Sequence, residues 1–449
     1  MHAAGSTSKH CYLLCLLLLA SCCQLAASQE ADQQCAGPSD SASDAAEAAA
    51  CSAEPLPTEQ AAAADLQLEG LLQIKAVLDA GGVLTQWTRQ TGREQGYCSW
   101  RGVSCATDTS SGTKQVTALL LSSTADPTAV VGLQGKLPPA SALKLLPGLT
   151  TVHISGQPGI SGPLPESWAD LAQLEVVQLH DNDLNGELPD SWAALTGLKV
   201  LYLHKNKLSG SLPAAWGDLA ALEDLTLNEN KLTGTLPVEY AGLSKLHSLW
   251  LFSNRLTGQL PAAYSAMTAL EDLQVSYNKF SGELPAEWAA LVNLRILNVG
   301  ANKLQGTLPA AYSSLASLQE LQLFENRFSG PLPKQWSALT DLQELNVYDN
   351  ALSGSLPASY KALAKMRSFT ISKNTFAGSV PLQWGKWKAL ETFVAWGNEE
   401  LVGCLPSRWE QQLAYLSFEE EVFEGTAVTG FCQRKADSPA AKARPSAEM

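Results

Sequence analysis

Charge is scarce in this chain, and positive charge is scarcest. Charged residues make up 16% of the 449 residues, below the roughly 25% of an average soluble domain. Lys and Arg number 30 against 44 Asp and Glu, a net of −14. Nucleic acid and acidic polysaccharide are poor partners for such a chain, which has no basic excess to hold them. A second long apolar run is also missing. After residue 28 no segment approaches the roughly 20 apolar residues that span a bilayer, and the polar stretch Gln433 to Met449 predicts no C-terminal membrane or GPI anchor. There is no nucleophile elbow, P-loop, dinucleotide fingerprint or HExxH motif, so no catalytic centre and no cofactor is expected. Apolar residues, by contrast, reach 45%, enough for a large core and too many for a disordered chain.

The ends differ from the middle. Lys9 and His10 precede the apolar run Tyr12 to Ala20, and Ala26-Ala27-Ser28 follow. This has the form of a secretory signal over residues 1–28, cleaved after Ser28. The alternatives are an uncleaved anchor holding the chain to a membrane, or a lipoprotein signal acylated at Cys22. Residues 29–65 are mainly Ala, Ser, Asp, Glu and Gln and predict a disordered, solvated segment, as does 433–449. Cys11, Cys15, Cys22 and Cys23 lie within the expected signal. Cys35, Cys51, Cys98, Cys105, Cys404 and Cys432 flank the central region, which predicts an oxidising compartment with up to three disulfides. A secreted, extracellular or cell-wall location follows.

From Leu66 a helical pattern runs through Leu68, Leu71, Leu72, Ile74, Val77 and Leu78 to a stop at Gly81-Gly82. The remainder is a repeat. Asn recurs at a constant spacing, at Asn182, Asn206, Asn230 and onward without a gap to Asn398. Gly186 and Pro189 follow the first of these, and their counterparts follow each later one as far as Gly378 and Pro381. Shortly beyond each Pro stands an aromatic, from Trp192 to Trp384. Degenerate units extend this register to about twelve, between residues 115 and 409. One unit reads LxxLxLxxNxLxGxLPxxWxxL. Its L-x-L is a short strand with two inward Leu, its Asn can turn its amide onto free backbone groups at the bend, and Gly and Pro shape the return. No unit can bury its Leu row alone, so the units stack into one core and one parallel sheet.

These residues resemble the plant-type extracellular leucine-rich repeat proteins, the group of receptor ectodomains and polygalacturonase-inhibitor-like proteins. Trp100-Arg-Gly102-Val103-Ser-Cys105 is similar to the end of their N-terminal cap, and Leu208-Ser-Gly-Ser-Leu-Pro213 to their repeat signature. The resemblance covers residues 66–432 and implies an α/β solenoid: a curved parallel sheet on the concave face, with disulfide-bonded caps. The caps are expected at 66–114 and 410–432. Cys98 would pair with Cys105 at one lid. Cys404 and Cys432 bracket the other, and Cys35 and Cys51 remain to pair in the tail. Two departures stand out. The aromatic after Pro replaces the family's usual Leu, and no Asn-x-Ser/Thr sequon occurs anywhere. The Ala- and Trp-rich style points to a green alga.

Inward positions are apolar or Asn, so function belongs on the outward ones. Alternation turns Tyr202, Trp250, Phe252, Phe324, Tyr348 and Trp396 away from the Leu row, where they suit a binding face for a protein, a peptide or a neutral glycan. The aromatic row after Pro, being periodic, reads as packing. Eight acids, among them Glu325 and Asp349, and two lysines give this face a net of −6, which favours a basic ligand. Pairs such as Asp224/Glu229 and Glu344/Asp349 imitate glycosidase carboxylates, but on an open sheet water should screen them and leave none with a raised pKa. His153, His180 and His204, on successive strands beside Asp181, could share a metal, although His153 belongs to a different row and no metal is assigned. The reading is a secreted or surface binding protein acting as an inhibitor, decoy or co-receptor subunit. A structural wall component and an intracellular scaffold with free thiols are the alternatives.

Overall fold

The computed structural model describes residues 59–109, 112–123, 130–411 and 425–432. The expected signal, most of the 29–65 segment, the Cys35–Cys51 pair, Leu413 to Phe418 of the C-terminal lid, and the tail fall outside them. The first element is a helix, α1 (Glu59–Leu78). It starts inside the segment expected to be solvated, because Ala61 to Ala64 favour helix even where they bury nothing. Its Leu68, Leu71, Ile74 and Leu78 form one buried stripe. Gln67 fastens it to the sheet, accepting from the Val116 amide at 2.8 Å. The helix ends at Asp79, whose carboxylate receives the amides of Val83 and Leu84 at 2.6 and 2.7 Å.

Strand β1 (Val103–Thr107) pairs antiparallel with β2 (Lys114–Ser122), and every later strand of this sheet adds in parallel. Among the described residues the sheet has thirteen strands. Its register advances by one whole repeat per step, with Leu201, Leu225, Leu249 and Leu273 side by side. The LxGxLP half of the unit builds further parallel ladders, of four and seven strands, which the sequence reading did not foresee. After each Pro comes a short 3-10 turn, such as Asp190–Ala194. Pro supplies the extended residue that starts it: φ is −72° and ψ 121° at Pro189.

Two internal ladders hold the stack. In the first, each Asn reaches back one repeat. Asn206 donates from Nδ2 to the carbonyls of Leu179 and Leu203, both at 3.0 Å, and its Oδ1 receives the Leu184 amide at 3.0 Å. Gln157 continues this ladder upstream: it donates to Leu121 O, accepts from the amides of Gly132 and Leu133, and is fully buried. The second ladder is aromatic. Trp168, Trp192 and Trp216 are fully buried and stacked, with ring centroids 5.7 and 6.5 Å apart. Each indole N–H donates to a Pro carbonyl of the preceding unit, as Trp192 does to Pro165 at 3.0 Å. Tyr264 does the same with its hydroxyl to Pro237 at 3.1 Å. An aromatic therefore fills the space a Leu would fill and also gives a second donor to a carbonyl that already accepts a backbone amide of its own turn, as Pro165 does from Trp168. At the ends, Cys98 is bonded to Cys105 and Cys404 to Cys432, and Trp409 closes the buried aromatic column.

Candidate functional site

Each strand of the long sheet offers three outward side chains and then a turn residue just before the ladder Asn. That turn residue is left-handed in every repeat from Asp181 (φ 59°) through Tyr277 (φ 52°) and Glu325 (φ 50°) to Lys373 (φ 49°). Only Gly adopts this backbone freely, yet these repeats hold Asp, Lys, Glu, Ser, Tyr or Ala there. The Asn amide grips the chain on both sides of the bend and imposes the conformation. The imposed bend lifts the preceding side chain onto the rim of the sheet.

The expected contact residues fall into separate groups. Trp250 and Phe252 lie together, centroids 6.3 Å apart, and the Trp250 indole donates to Asp272 Oδ2 at 2.9 Å. Phe324 lies flat over Gly300, where a Cβ would come within 2.3 Å of its ring, and meets Tyr277 at 5.8 Å. Glu325 stands beside it on the turn. Tyr348 and Trp396 are 5.9 Å apart across one intervening strand, with Lys373 and Asp349 at their edge. Tyr202 joins none of these. Its neighbours are His180 and His204, at 6.2 and 6.1 Å. The outward aromatics are half-buried rather than exposed. Tyr277, 54% exposed, was missed by the alternation argument, since it sits on the turn and not on the strand.

Two acids of this face are not screened as surface carboxylates are. Burial raises the Asp272 carboxyl above its ordinary value, although the Gln274 amide and Trp250 indole donate to it, and its other oxygen is buried with no partner. Glu320 is also raised, first by burial and then by the charges of Glu344 and Asp272. Asp272 and Glu320 belong to neither of the acid pairs noted in the sequence, and around Asp272 it is Trp250 and the Gln274 amide that displace water. The histidines stack rather than converge: His180 and His204 are 4.5 Å apart and nearly parallel, and His153 and His180 are 5.7 Å apart. Burial first, and neighbouring imidazole charge second, lower His153 and His180 to about 4. Among the described residues no group of three His, Cys, Asp or Glu is arranged to hold a metal ion.

Residues 64–106 match the leucine rich repeat N-terminal domain, and residues 172–232 and 196–256 match the leucine rich repeat. No curated protein sequence matches the chain. Among solved structures, a TDR receptor is 31% identical, with 62% of this chain and 48% of that one covered and a TM-score of 0.60. The plant peptide hormone receptor RGFR1, in complex with RGF2, is 25% identical over 67% of this chain and 54% of its own, TM-score 0.56. The Arabidopsis receptor kinase HAESA, in complex with the peptide hormone IDA and the co-receptor SERK1, is also 25% identical. It covers 82% of this chain and 70% of its own, TM-score 0.54. The chain thus spans about half the length of the first two.

Proposed function

We propose, for a chain that is a leucine-rich-repeat solenoid with the N-terminal domain of that class, that the outer face of its long sheet recognises an extended peptide or protein segment bearing basic side chains. The observation that carries this reading is the juxtaposition of Trp250 and Phe252 with the desolvated Asp272. Aromatic walls supply contact area, and a carboxylate held partly out of water gains more from a cation than a solvated one does. The sheet is fixed by its ladders before any ligand arrives, so little ordering entropy is lost on binding. The peptide complexes of RGFR1 and HAESA support the ligand class. No helix among the described residues is long and apolar enough to cross a membrane, and two disulfides favour an extracellular setting. The chain would act there as an inhibitor, decoy or co-receptor subunit, by recognition without turnover.

A neutral glycan is the second reading, on the row of amides Gln274, Asn298, Gln322 and Asn346. All four are already engaged within the sheet. Gln274 and Gln322 donate to Asp272 and Glu344 at 3.1 and 3.4 Å, and the side-chain oxygens of Asn298 and Asn346 accept the amides of Gly300 and Tyr348, both at 3.1 Å. The test is an array of random peptides beside a glycan array, read with the wild type and with Trp250→Ala/Phe252→Ala. Peptides rich in Lys and Arg should be selected, weaken in high salt, and lose about 30-fold in affinity for the double variant, whose melting should stay cooperative. Selection without basic residues, or binding indifferent to the two substitutions, would overturn the reading. A lost cooperative melt would show the pair to be core.

A further inference from the structure

The face carries a site that already holds a cation of its own. Tyr348 and Trp396 belong to strands two apart in the sheet, yet their rings approach to 5.9 Å. They can do so because the residue between them in the same row is Ser372, small and fully buried, with a hydroxyl that has no hydrogen-bond partner. The Lys373 ammonium lies 5.1 Å from the Tyr348 ring centroid and 5.2 Å from that of Trp396, and Asp349 stands 3.5 Å away. Two aromatic faces and one carboxylate around an ammonium are the elements of a cation cage. Lys373 fills it from the rim, and its side chain is still 43% exposed, so the cage is occupied but not sealed.

We infer that Tyr348, Trp396 and Asp349 form a subsite for an alkylammonium group of the ligand, and that Lys373 is an internal occupant which the ligand displaces. This rests on the proposed peptide-binding face and specifies one part of it. The tethered lysine shows which group fits, and it also weakens every competitor, because an incoming cation must first turn Lys373 out. Asp349 remains to pair with either ammonium. The hold on Lys373 is modest: an exposed cation–π contact amounts to a preference of about two- to fivefold. The lysine therefore grades affinity without closing the site.

The test uses the intact chain and a probe small enough to read this cage alone. The indole N–H resonance of Trp396, identified by its loss in Trp396→Phe, is followed during titration with tetramethylammonium and with neopentyl alcohol, an uncharged analogue of similar size. Lys373→Ala empties the cage, and Ala301 holds the same left-handed position in another repeat, so the backbone tolerates it. Should melting show that variant unfolded, Lys373→Gln removes the charge with less change of shape. Expected is a saturable shift with the ammonium that is about fivefold tighter in the variant than in wild type, and none with the alcohol. No saturable shift in the variant, an equal response to the alcohol, or equal affinity in variant and wild type would overturn the inference. Because the probe is not a peptide, that failure is separate from failure of the peptide selection.

Discussion

Asn278 offers the sharpest test of how the recognition face is held. Its Nδ2 donates to the carbonyls of Leu251, Val275 and Ser276, and its Oδ1 receives the Leu256 amide at 3.0 Å. Asn278→Ala strands one buried amide, that of Leu256, while the Leu251 and Val275 carbonyls keep a second donor in Asn254 and Asn302. At about 1–3 kcal/mol for one stranded buried donor, the loss should lie in that range. Tyr277→Gly, one residue away, is the control. The left-handed backbone costs a side chain about 1 kcal/mol, and Gly gives back a similar amount in chain entropy, so the backbone effects cancel and the loss should be about 0.5 kcal/mol, from the half-exposed ring contact with Phe324. Urea midpoints give both values, and hydrogen exchange at the Leu256 amide locates the damage. In a stack whose repeats touch only their neighbours, fast exchange should stay local. A loss below about 1 kcal/mol for Asn278→Ala, or an equal loss for Tyr277→Gly, would refute the claim that the amide imposes the bend.

Further outcomes follow from single contacts. The Tyr264 hydroxyl donates to Pro237, whereas the Tyr240 hydroxyl is buried with no partner. Tyr264→Phe should therefore cost about 1 kcal/mol and Tyr240→Phe should be neutral or stabilising in the same urea assay. For pH, His153 and His180 bind protons more weakly folded, at about 4, than unfolded, near 6.5. Their contribution is complete above pH 6.5 and is lost as pH falls toward 4, on the order of 2 kcal/mol for the pair once their partial exposure is allowed for. His153→Gln/His180→Gln should flatten the melting temperature across that window. Asp272 and Glu320, raised in the fold, run the other way and gain stability on acidification.

Much of this architecture was legible because its causes repeat. An Asn at the same place in each unit announces an internal ladder, and an aromatic at a fixed step after Pro announces packing; the Asn prove bonded as a row and the aromatics buried as one. Where the cause occurs once, the sequence was silent. Gln157 occupies the ladder's first rung ahead of Asn182, one residue out of step and with a different amide, so periodicity passed over it. The start of α1 depends on helix propensity in an exposed Ala run, which looks the same as a disordered tail in composition. Alternation placed Trp250, Phe252 and Phe324 on the outer face but said nothing of who touches whom. The signal for Phe324 lay in its neighbour, since Gly300 is the one glycine in a row of side chains. Desolvation of Asp272 depends on a contact between strands and has no sequence signature.

The aromatic ladder has an optical consequence. Ten of the twelve Trp are buried, several in near-parallel stacks: the Trp168 and Trp192 planes differ by 4°. Chromophores so arranged couple and share excitation, so the near-ultraviolet dichroism of this chain should be dominated by the column and fall in proportion to the rungs that are disordered. The remaining two, Trp250 and Trp396, sit on the outer face, one beside Asp272 and the other in the cage. Their emission alone should respond to quenchers and to a docked partner. Dichroism and quenching thus give two independent channels in one unlabelled sample, the first recording the integrity of the stack and the second the occupancy of its surface.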